Sequence, residues 1–278
     1  MKKFNEIISI LGAISIYLIT TLGLSVKFYF IHLWILLVSL ISIYLAFTII
    51  EFGTVMIISL FLKNKKRRVG KKRNKLILFI FNHFDKYLID MSGTKVKLKG
   101  LEKVPKDKKV MIVYNHNSNF DPMILAWYLR DTSLISISKP ENFKIPICGP
   151  FMQAIDYIAI NRDSAREGAL TIAKAIKYIN TDTYSICIAP EGTRNKTDEI
   201  LLPFHSGSFK IATKTKCPIV VATETNTRQI HKNFPFKKTK VDLEITDVLY
   251  YDDYKDLTTA EISDNIRNMF LERLTKEE

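Results

Sequence analysis

The stretch Tyr114-Asn115-His116-Asn117-Ser118-Asn119-Phe120-Asp121-Pro122 places an imidazole shortly ahead of a carboxylate. Imidazole takes up and returns a proton near neutral pH, and a carboxylate bonded to it fixes its tautomer and stabilises the imidazolium. His116 and Asp121 are therefore a candidate base and orienter. Spacing alone does not establish this, because Asp before Pro is also a good helix start, with Asp as the cap and Pro at the first helical position. The setting favours the chemistry, since a strand-to-helix loop lets the carboxylate fold back onto the ring. A second group, Ala189-Pro190-Glu191-Gly192-Thr193-Arg194, follows a short apolar run. Gly192 allows close backbone approach, Thr193 offers a hydroxyl, and Arg194 offers a planar fork matched to phosphate or carboxylate. Standing alone, these four residues would also suit a surface turn.

Both groups need a frame, and the pattern beyond Thr94 supplies an α/β one. Short β-rich runs at Val110–Tyr114, Leu134–Ser138, Tyr157–Ile160, Tyr184–Ile188, Ile219–Ala222 and Val241–Val248 read as strands. Helices are expected at Pro122–Leu129, Ala165–Ile179, Ser208–Lys214 and Ala260–Leu274, with capping boxes at Ser164/Glu167 and Thr258/Glu261. The two chemical groups then sit at strand ends, where open α/β sheets hold ligands.

The N-terminal part is of another kind. Ile7 to Val26 carries no charge, and Phe28 to Leu62 is broken only by His32 and Glu51. The first run is long enough to cross a bilayer; the second is too long for one span, so its span is placed near Leu33–Thr54. A cleaved signal peptide fits poorly, because a second apolar run follows the first at once. Net charge is +13, but residues 63–75 hold nine Lys/Arg and no acid, and without them +4 remains. A tract directly after an apolar segment reads as juxtamembrane, drawn to anionic lipid, and this outweighs a nucleic-acid reading. The positive-inside bias puts both ends of the hairpin in the cytoplasm. Between Leu76 and Met91, the apolar residues Ile77, Ile80, Phe84, Tyr87 and Met91 form a stripe with Asn82, Asp85, Lys86 and Asp90 off it. That helix either lies in the membrane interface or docks on the globular core. Cys148, Cys187 and Cys217 have neither paired nor metal-like spacing, which suits a reducing cytoplasm, and they are assigned no chemistry. The expected organisation is a hairpin over 1–62, a basic tract and interfacial helix over 63–93, and an α/β domain over 94–278.

Asn115-His116 with Asp121, followed by Glu191-Gly192-Thr193-Arg194, resembles the two signature blocks of the glycerolipid acyltransferases, a family that includes the 1-acylglycerol-3-phosphate (lysophosphatidic acid) acyltransferases. Intermediate blocks align as well: Lys139-Pro140-Glu141 leading to Pro146 and Gly149, Ile160-Asn161-Arg162, Pro203-Phe204 with Gly207, and Pro218-Ile219. The chain departs from the family pattern at Asp156, Asn161, His205 and Val221, all outside the His/Asp pair and the Glu-Gly-Thr-Arg run. The resemblance covers roughly residues 90–225. It implies a mixed β-sheet flanked by helices behind a two-helix anchor.

For function, the resemblance implies transfer of a fatty acyl group from acyl-CoA or acyl-carrier protein to the sn-2 hydroxyl of lysophosphatidic acid. His116 is the base and Asp121 its orienter. Asn115, Lys139, Arg162, Glu191, Gly192, Thr193 and Arg194 form the substrate-binding set, with Arg194 and Arg162 on the acceptor phosphate and Glu191 and Thr193 along its glycerol. No Gly-x-Ser-x-Gly elbow occurs, so direct attack is favoured over an acyl-serine, and Ser118 reads as a loop residue. No cofactor or metal is expected. The expected partners are the bilayer with its anionic lipids, the lysophospholipid and the acyl thioester, with acyl-carrier protein as one donor and no nucleic acid. The expected location is the cell membrane, with the catalytic domain on its cytoplasmic face. The alternatives are the same mechanism on glycerol 3-phosphate or another lysolipid, and a non-catalytic scaffold at the membrane surface.

Overall fold

The computed structural model describes residues 2–22, 29–62, 74–161 and 164–277, and the chain divides into two compact units, Met1–Lys63 and Asn64–Glu278. Most of the basic tract, and Arg162, lie outside the described residues.

The first unit is a pair of helices, α1 (Lys2–Leu22) and α2 (Tyr29–Leu62). They run antiparallel: near the start of α1, Asn5 Nδ2 donates to Glu51 Oε2 at 2.8 Å, and near its end Tyr17 meets His32 edge to face at 6.2 Å. Among the described residues, Ile31–Leu62 is the one helix long and apolar enough to cross a membrane, and the apolar part of α1, Asn5–Thr20, is shorter. The expected span Leu33–Thr54 lies within α2, but α2 continues past it unbroken. Its 34 residues rise ~51 Å against a hydrocarbon core of ~30 Å.

In the second unit the order is α3 (Lys75–Met91), β1 (Thr94–Lys99), β2 (Met111–Tyr114), α4 (Asp121–Tyr128), β3 (Leu134–Ser138), α5 (Cys148–Ala154), β4 (Ile158–Ala159) and α6 (Ala165–Asn180). Then come β5 (Ser185–Ile188), α7 (Lys210–Thr215), β6 (Ile219–Thr225), α8 (Arg228–Asn233), β7 (Thr239–Leu249), α9 (Tyr251–Tyr254) and α10 (Thr259–Leu274). The seven strands form one sheet in the order β1-β7-β6-β2-β5-β3-β4, in which only the β6/β7 pair is antiparallel. The fold is thus a mixed sheet flanked by helices.

Strand period two divides the core. Met111 and Val113 of β2 join Tyr178 of α6, Ile211 of α7 and Phe270 of α10 on one face, while Ile112 and Tyr114 join Ile89 of α3 and Ile124 and Leu125 of α4 on the other. All four β2 residues are buried, as the central position of that strand requires. Each large side chain withdrawn from water contributes ~1.5–3 kcal/mol. The Thr258/Glu261 box forms in full at the start of α10, whereas at α6 Ser164 accepts from the Glu167 N–H.

β1 was missed in the sequence, although Val96 and Leu98 alternate with lysines; its outward positions stay exposed because it is an edge strand. The short helices α5 and α8 were missed too. α3 docks on the core: Phe81, Phe84, Tyr87 and Ile89 are buried, and so are Asn82 and Asp85, which the apolar stripe had left on the outer face. Leu76 and Phe79, near its start, remain exposed.

Candidate active site

Four neighbouring parallel strands, β6, β2, β5 and β3, present their carboxyl ends side by side, since Tyr114 of β2 pairs with Ala222 of β6, Val113 with Ile188 of β5, and Ser136 of β3 with Cys187. The two signature blocks leave the sheet from adjacent strands, β2 and β5. Residues far apart in the chain meet there because the sheet order brings the strand ends together.

After β2, Asn115 continues the ladder with its side chain: Oδ1 accepts from Glu224 N and Nδ2 donates to Glu224 O, both at 2.8 Å. The carboxamide is buried, with both its oxygen and its nitrogen bonded within the protein. The next residue, His116, is clamped by the second block. Its N–H donates to Glu191 Oε1 at 2.7 Å, and its carbonyl accepts from Asn195 N at 2.7 Å. The His116 ring pairs through Nδ1 with Asp121 Oδ2 at 2.9 Å, and the two side chains are 21% and 0% exposed. No described residue bonds Nε2, and His116 lines a cavity.

Asp121 is not the cap of α4 but its first residue, and Phe120 precedes it without a side-chain cap bond. The carboxylate turns back instead. Its Oδ2 also accepts from the N–H groups of Asn117 and Ser118, each at 2.7 Å. Ser118 Oγ accepts from Phe120 N at 3.2 Å, which makes Ser118 part of the loop's own bracing.

After β5 the chain turns sharply, with Gly192 N donating to Ala189 O at 3.1 Å and Gly192 at φ +75°, a conformation that favours glycine. Glu191 points inward, not into the cavity. Its Oε2 accepts from Leu202 N at 3.0 Å, so one carboxyl ties the histidine loop to a third segment. Burial pushes this carboxyl above its ordinary range, against the pull of the His116 and Leu202 N–H groups. Thr193 and Arg194 do reach the cavity. Lys139, just past β3, donates to Thr193 Oγ1 at 3.2 Å, and Arg194 Nη1 donates to Asn119 Oδ1 at 2.8 Å.

The cavity measures about 440 Å³. Its polar lining comes from the strand-end loops: His116, Asn119, Lys139, Thr193, Arg194 and Lys196. Its apolar lining comes from α3, β3 and α5 and the segments beside them: Phe81, Ile137, Ile145, Met152 and Tyr157. Among the described residues, no carboxylate forms an ion pair with Lys139, Arg194 or Lys196. Asp85 of α3 also lines this space, and burial holds its carboxyl well above the usual carboxylate range. Gly149 in α5 admits no side chain, because a Cβ there would lie 2.2 Å from the Phe143 carbonyl oxygen. A larger cavity of about 720 Å³ lies near α6 and α7, lined by Ile160, Ile172, Phe204 and Lys214, and does not reach His116.

Of the expected site residues, the structure brings His116, Asp121, Lys139, Thr193 and Arg194 to one place. Asn115, Glu191 and Gly192 sit beside them as framework. Lys196 and Arg228 were missed. Arg228 bonds the Thr197 and Asn195 carbonyls at 2.8 and 3.0 Å and Asn117 Oδ1 at 3.3 Å, pinning both loops. Lys196 stands next to the second block and was open to suspicion; nothing local marks Arg228. The three thiols are raised by burial, Cys148 to about 11, which disfavours the thiolate.

Comparison with known proteins gives the same picture. An acyltransferase family model ("Acyltransferase") matches residues 95–223. The chain is 34% identical over 147 residues to a 1-acyl-sn-glycerol-3-phosphate acyltransferase of Borreliella burgdorferi, covering 52% of this chain and 58% of the relative. It is 28% identical to the Haemophilus influenzae protein of the same name, covering 66% and 72%. The chain thus spans little more than half the length of the first relative. The crystal structure of the 1-acyl-sn-glycerophosphate acyltransferase PlsC from Thermotoga maritima superposes with a TM-score of 0.60 at 20% identity, over 84% of this chain and 93% of that one, a likeness of fold. Over residues 95–223 the α/β unit of this chain is thus similar to the acyltransferase domain of glycerolipid acyltransferases.

Proposed function

We propose that this chain moves a fatty acyl group from a thioester, acyl-CoA or acyl-carrier protein, to the sn-2 hydroxyl of lysophosphatidic acid, giving phosphatidic acid. The observation that carries this reading is the His116 ring: Nδ1 is bonded to a buried carboxylate, and no described residue occupies Nε2 beside a cavity with cationic and apolar walls. Nε2 takes the proton of the acceptor hydroxyl as its oxygen attacks the thioester carbonyl. The tetrahedral intermediate then expels the thiolate; the C–S bond breaks, and the imidazolium returns its proton to sulfur. Asp121 holds the ring and balances its transient charge. No cofactor or metal enters the step.

Arg194, Lys139 and Lys196 line the cavity and, among the described residues, form no ion pair with a carboxylate, which suits them to a phosphate monoester, with Arg162 as a further expected contact. Thr193 is placed to contact the polar part of the acceptor. The apolar walls on α3, β3 and α5 suit an acyl chain. The helix pair supplies the anchor, with both of its ends and the basic tract on the cytoplasmic side. External labelling of intact cells should mark a cysteine placed at position 29 and spare one at position 70; the reverse pattern would overturn this topology.

The activity itself is tested by thiol release from acyl-CoA and, in parallel, from acyl-carrier protein in detergent-solubilised protein, with the product identified by mass spectrometry. Release that depends on lysophosphatidic acid and yields phosphatidic acid is expected. Release only with a different acceptor, or none at all, would sink the substrate assignment.

A further inference from the structure

Asp121 is an asymmetric carboxylate. Oδ2 accepts three hydrogen bonds, whereas Oδ1 is buried and, among the described residues, has no partner. The same side of the sheet holds a second anomaly. Glu224, the penultimate residue of β6, is 0% exposed, and both of its carboxyl oxygens are buried without a partner. Strand alternation fixes its direction: Val220 and Ala222 face the α4 side, and period two puts Glu224 on that side as well. Its backbone is bonded at both N–H and C=O by the side chain of Asn115, the residue before the base. A buried polar group normally has a partner, so two orphaned carboxyls on one side of the sheet call for a shared explanation.

We propose that Glu224 is a positioning residue of the His116/Asp121 pair, supplying to Asp121 Oδ1, directly or across one water, the hydrogen-bond donor that the carboxylate otherwise lacks. The proposal rests on the acyl-transfer reading for its kinetic arm only. A carboxyl can donate only when protonated, and its surroundings favour that state. Burial pushes the Glu224 carboxyl well above its ordinary range, and the charge on Asp121 adds to this. The other titratable groups facing it are the Tyr114 phenol from β2 and the Cys187 thiol from β5, both raised by burial and therefore neutral. Beyond Asp121 lie Glu191, itself raised by burial, and the His116 ring, which is committed to Oδ2. Arg228 of α8, which bonds Asn117 in the loop leading to Asp121, gives its other bonds to the Asn195 and Thr197 carbonyls. Among the described residues, no cation acts to lower the Glu224 carboxyl.

The consequence is a softened Asp121. With both oxygens supplied, its negative charge is spread, and it steadies the ring without holding the imidazolium too tightly to release its proton. Without the donor, the imidazolium persists to higher pH.

The test uses the full-length protein with Glu224→Gln, which keeps a neutral donor, and Glu224→Leu, which removes it at similar volume. Glu224→Gln should stay within about threefold of wild-type kcat/KM, with the acid limb of the pH profile unmoved. Glu224→Leu should lose roughly tenfold, with that limb displaced to higher pH and the KM for lysophosphatidic acid unchanged. A limb moved to lower pH in Glu224→Gln would mean that Glu224 is an anion and would overturn the proposal. So would an unmoved limb in Glu224→Leu, the result for a residue that merely fills space. If the leucine variant fails to fold, the glutamine arm and infrared difference spectra still decide. A protonated-carboxyl C=O band at neutral pH should vanish in Glu224→Gln, and its absence from the wild type would contradict the proposal whatever the activity.

Discussion

The loop after β2 and the loop after β5 leave adjacent parallel strands and meet over one cavity, yet they are built in opposite ways. In the first, nearly every polar atom is committed: Asn115 to the β6 backbone, the His116 backbone to Glu191 and Asn195, the imidazole to Asp121, and Asp121 to two further N–H groups. In the second, the inward residue Glu191 is equally committed, but Thr193 and Lys196 are exposed and Arg194 makes one side-chain bond. Proton transfer needs a ring held in one tautomer at one place, and over-determination provides that. On the proposed reading, an anionic headgroup is met by cations that, among the described residues, pair with no carboxylate. On the proposed acyl-transfer reading, the two kinds of construction correspond to two kinds of work, and the second block divides between framework (Glu191, Gly192) and contact (Thr193, Arg194).

This contrast can be broken by substitution. The largest effect belongs to His116→Ala, which should lower kcat by ~10²–10⁴ while the thermal midpoint stays close to wild type. More than about a tenth of wild-type turnover in that variant would remove His116 from the role of base. A smaller effect, of a different kind, is expected at Glu191. Glu191→Ala leaves the His116 and Leu202 N–H groups without their acceptor and should cost about 1–3 kcal/mol of stability, read from denaturant unfolding. Arg194→Ala, on the exposed half of the same block, should stay within about 0.5 kcal/mol. Similar stabilities for the two variants would erase the distinction between framework and contact.

The legible parts of the molecule were those whose signal is local. β2, β3, β5, β6 and β7 are apolar or alternating runs, and α4, α6 and α10 carry a Pro start or a capping residue, so composition and period sufficed. The His116/Asp121 pair was legible because five residues of strand-to-helix loop are enough to fold back. The illegible parts depend on pairing across the sheet. Glu224 meets the Asn115 side chain only because β6 is the neighbour of β2, and the inward turn of Glu191 depends on where Leu202 returns. Asn82 and Asp85 looked like an outer helical face; α3 is covered on that side as well, and no period within a single helix reports a neighbour.

The division of labour between the two loops is tested most directly by one ratio, kcat/KM for lysophosphatidic acid over kcat/KM for a phosphate-free lysolipid. It should be measured in wild type, Asp121→Asn and Arg194→Ala. Asp121→Asn should lower both terms together and leave the ratio unchanged, because the imidazole serves either acceptor. Arg194→Ala should lower the ratio by roughly ten- to a hundredfold, through loss of a charge-assisted bond to phosphate, with the acyl-thioester KM little altered. Equal losses on both acceptors in Arg194→Ala would contradict a phosphate-gripping second loop and point to a different class of acceptor.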